Sequence, residues 1–291
     1  MQKFGGAWTS DKLSALTYYI QAYLKALKGK FELHYVDAFA GSGSYLPRRG
    51  LAAEVRPGSA QIALLHGGFD QYHFVEKSGA NCRSLKEISL SHPDKKISIS
   101  QGDANQKVVE ICRSMKPRTR SVFFIDPFGM QIEWSTLEAV AQTGAADVWL
   151  LFPLSGVTRQ LTKNASKLDA DKVRALDRTL GTSEWRDAFY DAPPLDLFGH
   201  QAPNERIADS EAILRWTTLR LGEIFPCVVG PKILHLGRPG NSSGGPPLFA
   251  LYFLAATRNP TGQRIARNIA KGVLKRLERE SALPKSHLTI Q

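Results

Sequence analysis

The sequence has little of what staples a small chain or anchors one in a membrane. It contains three cysteines, Cys82, Cys112 and Cys227, far apart and without a CxxC pair. That usage excludes a disulfide framework and a cysteine-based zinc site, and it fits reduced cytoplasmic thiols. The seven histidines show no ligand spacing such as HxxxH, so no structural metal is expected. No apolar run approaches the roughly 18 residues that a membrane span needs. The opening Met1-Gln2-Lys3-Phe4-Gly5-Gly6 lacks the apolar core of a secretory signal. Repeats and low-complexity tracts are absent as well, which excludes solenoid and fibrous classes. A cytoplasmic location without membrane contact is the expectation.

Acidic residues are also in short supply. Lys and Arg number 38 against 27 Asp and Glu, a formal charge of +11. A basic excess of this size favours an anionic partner, most often nucleic acid. The charge is clustered. Arg113, Lys116, Arg118 and Arg120 fall in a stretch without an acid, and the last helical segment carries Arg264, Arg267, Lys271, Lys275, Arg276 and Arg279. Arg113, Lys116, Arg118, Arg120, Arg264, Arg267 and Lys271 are therefore the candidate nucleic-acid contacts. A solvated helix face, or a surface for an acidic protein, is the competing reading.

What is present is the pattern of an ordinary globular protein, 43% hydrophobic over 291 residues. Apolar residues at Leu13, Leu16, Tyr19, Ile20, Tyr23, Leu24 and Leu27 predict a helix over 10–27, with Ser10 or Asp11 as N-cap and Gly29 as stop. Short β-branched and aromatic runs then alternate with helical ones. Strands are predicted at 33–39, 72–76, 97–100, 122–126 and 148–152, and helices at 59–66, 79–89, 104–115 and 135–143. Strictly alternating units whose strands are too apolar for a wet face indicate a parallel sheet covered on both sides. After Pro153 the pattern turns helical, at 169–180, 183–190 and 206–224, around a Pro-rich stretch at 192–203. Strand signals return near Val228, at 232–236 and at 248–255, and a basic amphipathic helix at 261–280 closes the chain. The last strand follows its predecessor through the turn-rich 237–247, which allows antiparallel pairing. Residues 1–30 read as a helical extension, 31–153 and 227–291 as an α/β core, and 154–226 as a helical insertion forming a cap over the active-site side.

The chemistry is concentrated where the strands end. In open α/β sheets, ligands bind beyond the carboxyl ends of the strands near the topological switch point. The first strand ends in Tyr35-Val36-Asp37-Ala38-Phe39-Ala40-Gly41-Ser42-Gly43. Gly41 and Gly43 permit a tight turn and close backbone approach to a ligand. A dinucleotide fingerprint would need glycine or alanine at position 46, where this chain has Leu46. Asp37 and Phe39 stand at the same turn, and Asp37 is suited to an ammonium group. Glu76 ends the second strand, where a carboxylate can accept both hydroxyls of a ribose. The stretch 47–58 reads as an inserted loop that lengthens the spacing between these two acids. Asp103, after the third strand, is placed to accept a hydrogen bond from an adenine amine, with the Ala104 backbone beside it.

The fourth strand ends in Asp126-Pro127-Phe128-Gly129. A base amine is a poor nucleophile because its lone pair is delocalised into the ring. Asp126 and the Pro127 carbonyl could accept the amine hydrogens and favour the geometry of attack, since proline leaves its carbonyl free. Phe128 offers a stacking face for a flipped or single-stranded base. The competing reading is a strand-terminating turn with a core phenylalanine.

Taken together, Trp8, Lys12 and Leu13 in the first helix, the run from Asp37 to Gly43, Gly58-Ser59, Glu76 and Asp126-Pro127-Phe128-Gly129 resemble the three-Cys-motif partner family over nearly the whole chain. The resemblance implies an S-adenosyl-L-methionine-dependent methyltransferase of the amine-modifying kind. Its fold would be a seven-stranded Rossmann-like sheet, mostly parallel with one antiparallel strand, plus a helical insertion. It also implies a partner protein that carries the three-cysteine motif. The Asp-Pro-Phe-Gly run is similar to one in tRNA guanine dimethyltransferases, whereas adenine and guanine amine methyltransferases usually have two prolines after the acid. The expectation is a methyltransferase acting on an exocyclic base amine of DNA or RNA. A methyltransferase for a protein or small molecule, and a non-catalytic cofactor-binding subunit, are the alternatives.

Overall fold

The computed structural model describes residues 7–45, 55–191, 204–236 and 245–282. Five strands run parallel: β1 (Glu32–Asp37), β2 (Gln71–Glu76), β3 (Ile97–Gln101), β4 (Thr119–Ile125) and β5 (Ala146–Phe152). Two more lie late in the chain, β6 (Cys227–His235) and β7 (Pro247–Ala255). The order across the sheet is β6-β7-β5-β4-β1-β2-β3. β7 is antiparallel to both β5 and β6, so β6 points the same way as the other five. This is the expected seven-stranded, mostly parallel sheet with its single reversed strand.

The alternation of side chains explains why the sheet is covered on both faces. Along β1, Leu33 and Tyr35 enter one core and Val36 the other; along β4, Val122 and Phe124 separate from Phe123 and Ile125 in the same way. β5 and β7 repeat the pattern with Trp149/Leu151 and Leu251/Phe253 against Val148/Leu150 and Tyr252/Leu254. Every side chain named is fully or almost fully buried, as strands between two helical layers must be. One layer holds α1 (Ala7–Leu27), α2 (Ser59–His66), α3 (Gly79–Leu90) and α10 (Pro260–Ala282). The other holds α4 (Ala104–Ser114), α5 (Trp134–Gln142), α6 (Leu154–Gln160), α7 (Ala170–Leu180), α8 (Trp185–Phe189) and α9 (Ser210–Ile224). Residues 154–191 and 204–226 thus share their core with α4 and α5: Leu176, Leu180, Trp185, Phe189, Ile213, Leu214 and Leu221 bury in the same cluster as Trp134, Leu137 and Val140.

Three local differences from the sequence reading have physical causes. α1 begins three residues before Ser10, because Trp8 packs on Phe249 with ring centroids 5.3 Å apart and Thr9 is buried, so tertiary contacts extend the helix past its expected cap. The two strand signals near Val228 and at 232–236 belong to one strand, whose register shifts between Val229 and Lys232, where Pro231 has no N–H to give to the ladder. α6, which the periodicity does not predict, is a short helix begun immediately after β5. Of the predicted inserted loop, Arg56–Pro57 pairs with Ser44–Tyr45, and the rest up to residue 54 lies outside the described residues. So do the Pro-rich 192–203 and most of the turn at 237–247. The three cysteines are free, and no described helix is long and apolar enough to cross a membrane.

Candidate functional site

Parallel pairing brings the carboxyl ends of β3, β2, β1 and β4 to one edge, and each of those ends carries an acid. At β1, Ala38 N–H donates to Phe124 O and Ala40 N–H to Val75 O, both at 3.0 Å, so the chain stays stitched between β4 and β2 past its last strand residue. It then turns through Gly41 and Gly43, both at positive φ (61° and 78°). A Cβ on Gly43 would stand 2.6 Å from the Ile88 Cδ1 atom. Gly58 N–H donates to Gly43 O at 2.8 Å, and a Cβ on Gly58 would come within 2.9 Å of that oxygen. The glycine turn is therefore held shut by α2 and α3, and side chains are excluded from it.

Asp37 is wholly buried. Tyr35 Oη, one pleat earlier on the same face, donates to its Oδ2 at 3.4 Å, while Oδ1 has no hydrogen-bond partner. Burial pushes its carboxyl up to about 7, opposed by the Ser59 side chain and reinforced by the negative charge of Asp126. A buried carboxylate oxygen without a donor is costly unless a cationic ligand meets it. Phe39, half-buried beyond Asp37, packs against the core beneath α4 and α5.

Glu76 uses Oε1 to accept the Ser78 N–H at 2.7 Å, and Gly102 N–H donates to the Glu76 carbonyl at 3.0 Å. That second bond ties the end of β2 to the turn that carries Asp103. Asp103 caps α4: its Oδ1 accepts Asn105 N–H at 2.9 Å, and buried Ala104 opens the helix. Each acid thus spends one oxygen on local structure and retains the other.

Asp126 stands just past β4 and forms an ion pair with Lys12 of α1. Lys12 is 8% exposed and stands 4.5 Å from the centroid of the Trp8 ring. Pro127 is buried, whereas Phe128 is 71% exposed and so is not a core residue. Gly129 turns the loop at φ 64°. Asn105 anchors the stretch between this turn and α5: its Nδ2 donates to Gln131 O at 2.9 Å, and its Oδ1 accepts Glu133 N–H at 3.0 Å and the Thr136 hydroxyl at 2.8 Å. One asparagine behind Asp103 thereby positions the loop that carries Asp126.

The basic clusters stand elsewhere. Arg113 lies in the last turn of α4, and Lys116, Arg118 and Arg120 lead into β4, at the strand ends opposite the acids. Arg120 sits over the Phe31 ring at 4.4 Å, and Arg118 donates to Lys30 O at 3.3 Å. Arg264, Arg267 and Lys271 are exposed on α10, which begins beyond the end of the reversed strand β7 and so starts at that same far edge. The structure brings Asp37, Glu76, Asp103 and Asp126 to one edge and does not bring either basic cluster to them.

Composition and spacing gave Lys12 no role of its own, although a signal was available. Lys12 shares its helical face with Leu16, Tyr19 and Tyr23, all buried, and a charged residue on a buried stripe needs a partner. Asn105, a polar residue in the first turn of α4, gave no such signal.

No protein-family model matches the sequence, and no curated protein matches it. Solved structures do resemble the fold. Protein LPL1258 from Legionella pneumophila str. Philadelphia 1, described by family-model DUF519, aligns over 89% of this chain and 90% of its own with a TM-score of 0.50 and 12% identity. Trm1 from Pyrococcus horikoshii, solved with S-adenosyl-L-methionine, aligns over 88% of this chain and 57% of its own, with a TM-score of 0.39 and 13% identity.

Proposed function

We propose that the protein is an S-adenosylmethionine-dependent methyltransferase whose acceptor is an exocyclic base amine of DNA or RNA. The observation that carries this reading is Asp126, an acid at the end of β4, facing the charge of Asp37 and followed by a proline and an exposed phenylalanine. The residues present fit the cofactor. The orphaned Oδ1 of Asp37 would meet its ammonium, and the uncommitted oxygens of Glu76 and Asp103 would take its ribose hydroxyls and adenine amine. When bound, S-adenosylmethionine supplies a methyl group activated by a sulfonium.

The chain's own residues do the rest. Phe128 stacks the acceptor base, and the Pro127 carbonyl and Asp126 accept its amine hydrogens, directing the nitrogen lone pair out of the ring plane. Asp126 is then placed to receive the proton that the amine loses when its nitrogen gains the methyl. Holding the amine in line with the donor lowers the barrier without any covalent intermediate on the enzyme.

Two observations favour second readings. The distance of the basic clusters from the four acids favours a protein or small-molecule acceptor. The Lys12–Asp126 ion pair, which occupies one oxygen of the acid, favours a non-catalytic cofactor-binding subunit. The three-cysteine-motif partner rests on the sequence resemblance alone.

The test compares modified nucleosides, by mass spectrometry, in cells with and without the gene and with the Asp126→Ala variant. A methylated base lost in both the deletion and the variant is the expected result, while purified Asp126→Ala still binds S-adenosylmethionine, because contacts made at the transition state govern rate rather than cofactor affinity. Methylation at the normal level in the variant would remove Asp126 from the mechanism.

A further inference from the structure

We infer that the sheet edge opposite the four acids is a phosphate-binding surface, so that the acceptor is a folded or double-stranded polynucleotide gripped at two ends of the molecule. This rests on the nucleic-acid reading above and adds to it where the polymer is held and how long it must be. The chain builds this edge from three separate connections. The end of α1 brings Lys28 and Lys30, the turn before β3 brings Lys96, and the turn before β4 brings Lys116 and Arg118. Lys28, Lys30, Phe31, Glu32, Asp70 and Arg118 line one open cleft there.

The charge in this cleft is in excess rather than balanced: Lys28, Lys30 and Arg118 line it with two carboxylates, Glu32 and Asp70, and both of these are engaged by other groups. Asp70 spends Oδ2 on Leu33 N–H at 2.7 Å, and Glu32 Oε1 is engaged by Gln71 Nε2 at 3.3 Å and lies 3.2 Å from His34 Nε2. Glu32 sits below the usual carboxylate range, first through its hydrogen bond with His34 and further through Lys116 and Lys96 nearby. Among the described residues, Lys28, Lys30, Lys96, Lys116 and Arg118 make no ion pair with a carboxylate, although ten other pairs form across the molecule. Two of the five are held in place by backbone carbonyls: Lys30 Nζ donates to Ala26 O at 2.9 Å and Arg118 to Lys30 O at 3.3 Å.

Unpaired cations on positioned stems suit phosphate oxygens. A protein interface of useful affinity would instead need a desolvated apolar centre. Here the apolar side chains are Leu33, 1% exposed, and half-buried Phe31, already covered by Arg120.

The separation of the two edges sets the size of the ligand. β1 alone carries the chain from Glu32 to Asp37, about 17 Å at about 3.3 Å per residue. A duplex advancing about 3.4 Å per step needs at least about five steps to reach both ends. A nucleotide or a dinucleotide cannot do so.

The test is filter binding across a salt series, with a DNA hairpin and an RNA hairpin of about 24 nucleotides each and with a dinucleotide, against the wild type and a Lys28→Gln/Lys116→Gln/Arg118→Gln variant. Each phosphate that the protein no longer neutralises takes about 0.9 off the slope of log affinity against log salt, so the hairpin slope should fall by about 2–3 in the triple variant while dinucleotide binding stays the same. If the triple variant does not fold, Arg118→Gln alone should lower the slope by about 0.9. A hairpin that binds both proteins with one slope overturns the two-edge grip and leaves the base-amine reading standing. A wild type that binds no hairpin at all overturns both.

Discussion

If Asp37 meets the cofactor's ammonium as proposed, its protonation is coupled to cofactor binding. Its carboxyl, raised to about 7 by burial with the charge of Asp126 adding to the effect, is largely protonated in the free protein at mildly acidic pH. An ammonium ligand requires the charged form. Affinity for S-adenosylmethionine should therefore fall about tenfold per pH unit below about 7 and level off above it, as calorimetry at several pH values would read. The sign for stability is opposite. A carboxyl whose folded value lies above its unfolded one binds more protons when folded, so stability declines as pH rises from about 4 to about 7. Asp37→Asn should abolish that part of the decline, and its loss of cofactor affinity should no longer track pH.

Lys12 offers a second test at this scale. If it aims Asp126, Lys12→Met should lower methyl transfer about 10- to 100-fold, the cost of misplacing a catalytic group by about an ångström. Cofactor affinity should hold within about threefold. An unchanged rate would make the pair purely structural. The acids were legible because a carboxylate at the end of an apolar strand stands out in sequence. Their partners were not, since Lys12 lies 114 positions from Asp126 and only the fold joins them.

At the scale of elements, the chain announces its turns more clearly than its interruptions. Gly181, the residue just past the segment predicted at 169–180, ends α7 in the left-handed conformation at φ 77°. A Cβ there would lie 2.2 Å from the Trp134 ring of α5, so the same glycine also permits α5 and α7 to approach. Gly181→Ala should cost about 2–4 kcal/mol, the sum of left-handed strain and overpacking against a ring, measured by denaturant unfolding. A loss under about 1 kcal/mol would mean that the helix pair slides to make room. Asp169 was likewise readable as the cap of α7, and its Oδ1 accepts Lys172 N–H at 2.9 Å. The single strand β6 was not readable, because Gly230-Pro231 looks like a boundary in sequence while its flanks both pair with β7. α6 was hidden for a different reason: with seven residues it is too short for a periodic signal.

Across the whole molecule, alternating strands and helices made the parallel sheet legible, and the late strand pair suggested its one reversal. Sequence could not say which edge each charge would occupy. Arg113 to Arg120 are close in sequence to Asp126 yet stand at the other end of β4. The same topology gathers Asp37, Glu76, Asp103 and Asp126 from four separate units onto one edge, where we propose that the first three hold the cofactor and Asp126 meets the acceptor amine. Calorimetric titration with S-adenosylmethionine of the wild type, Glu76→Ala and Asp126→Ala bears on that claim without intermediate steps. The expected result is binding by the wild type, a loss of roughly 10- to 100-fold in Glu76→Ala from removing a charged hydrogen-bond acceptor, and near-normal affinity in Asp126→Ala. Equal affinity in the wild type and Glu76→Ala, or no binding by the wild type, would contradict it.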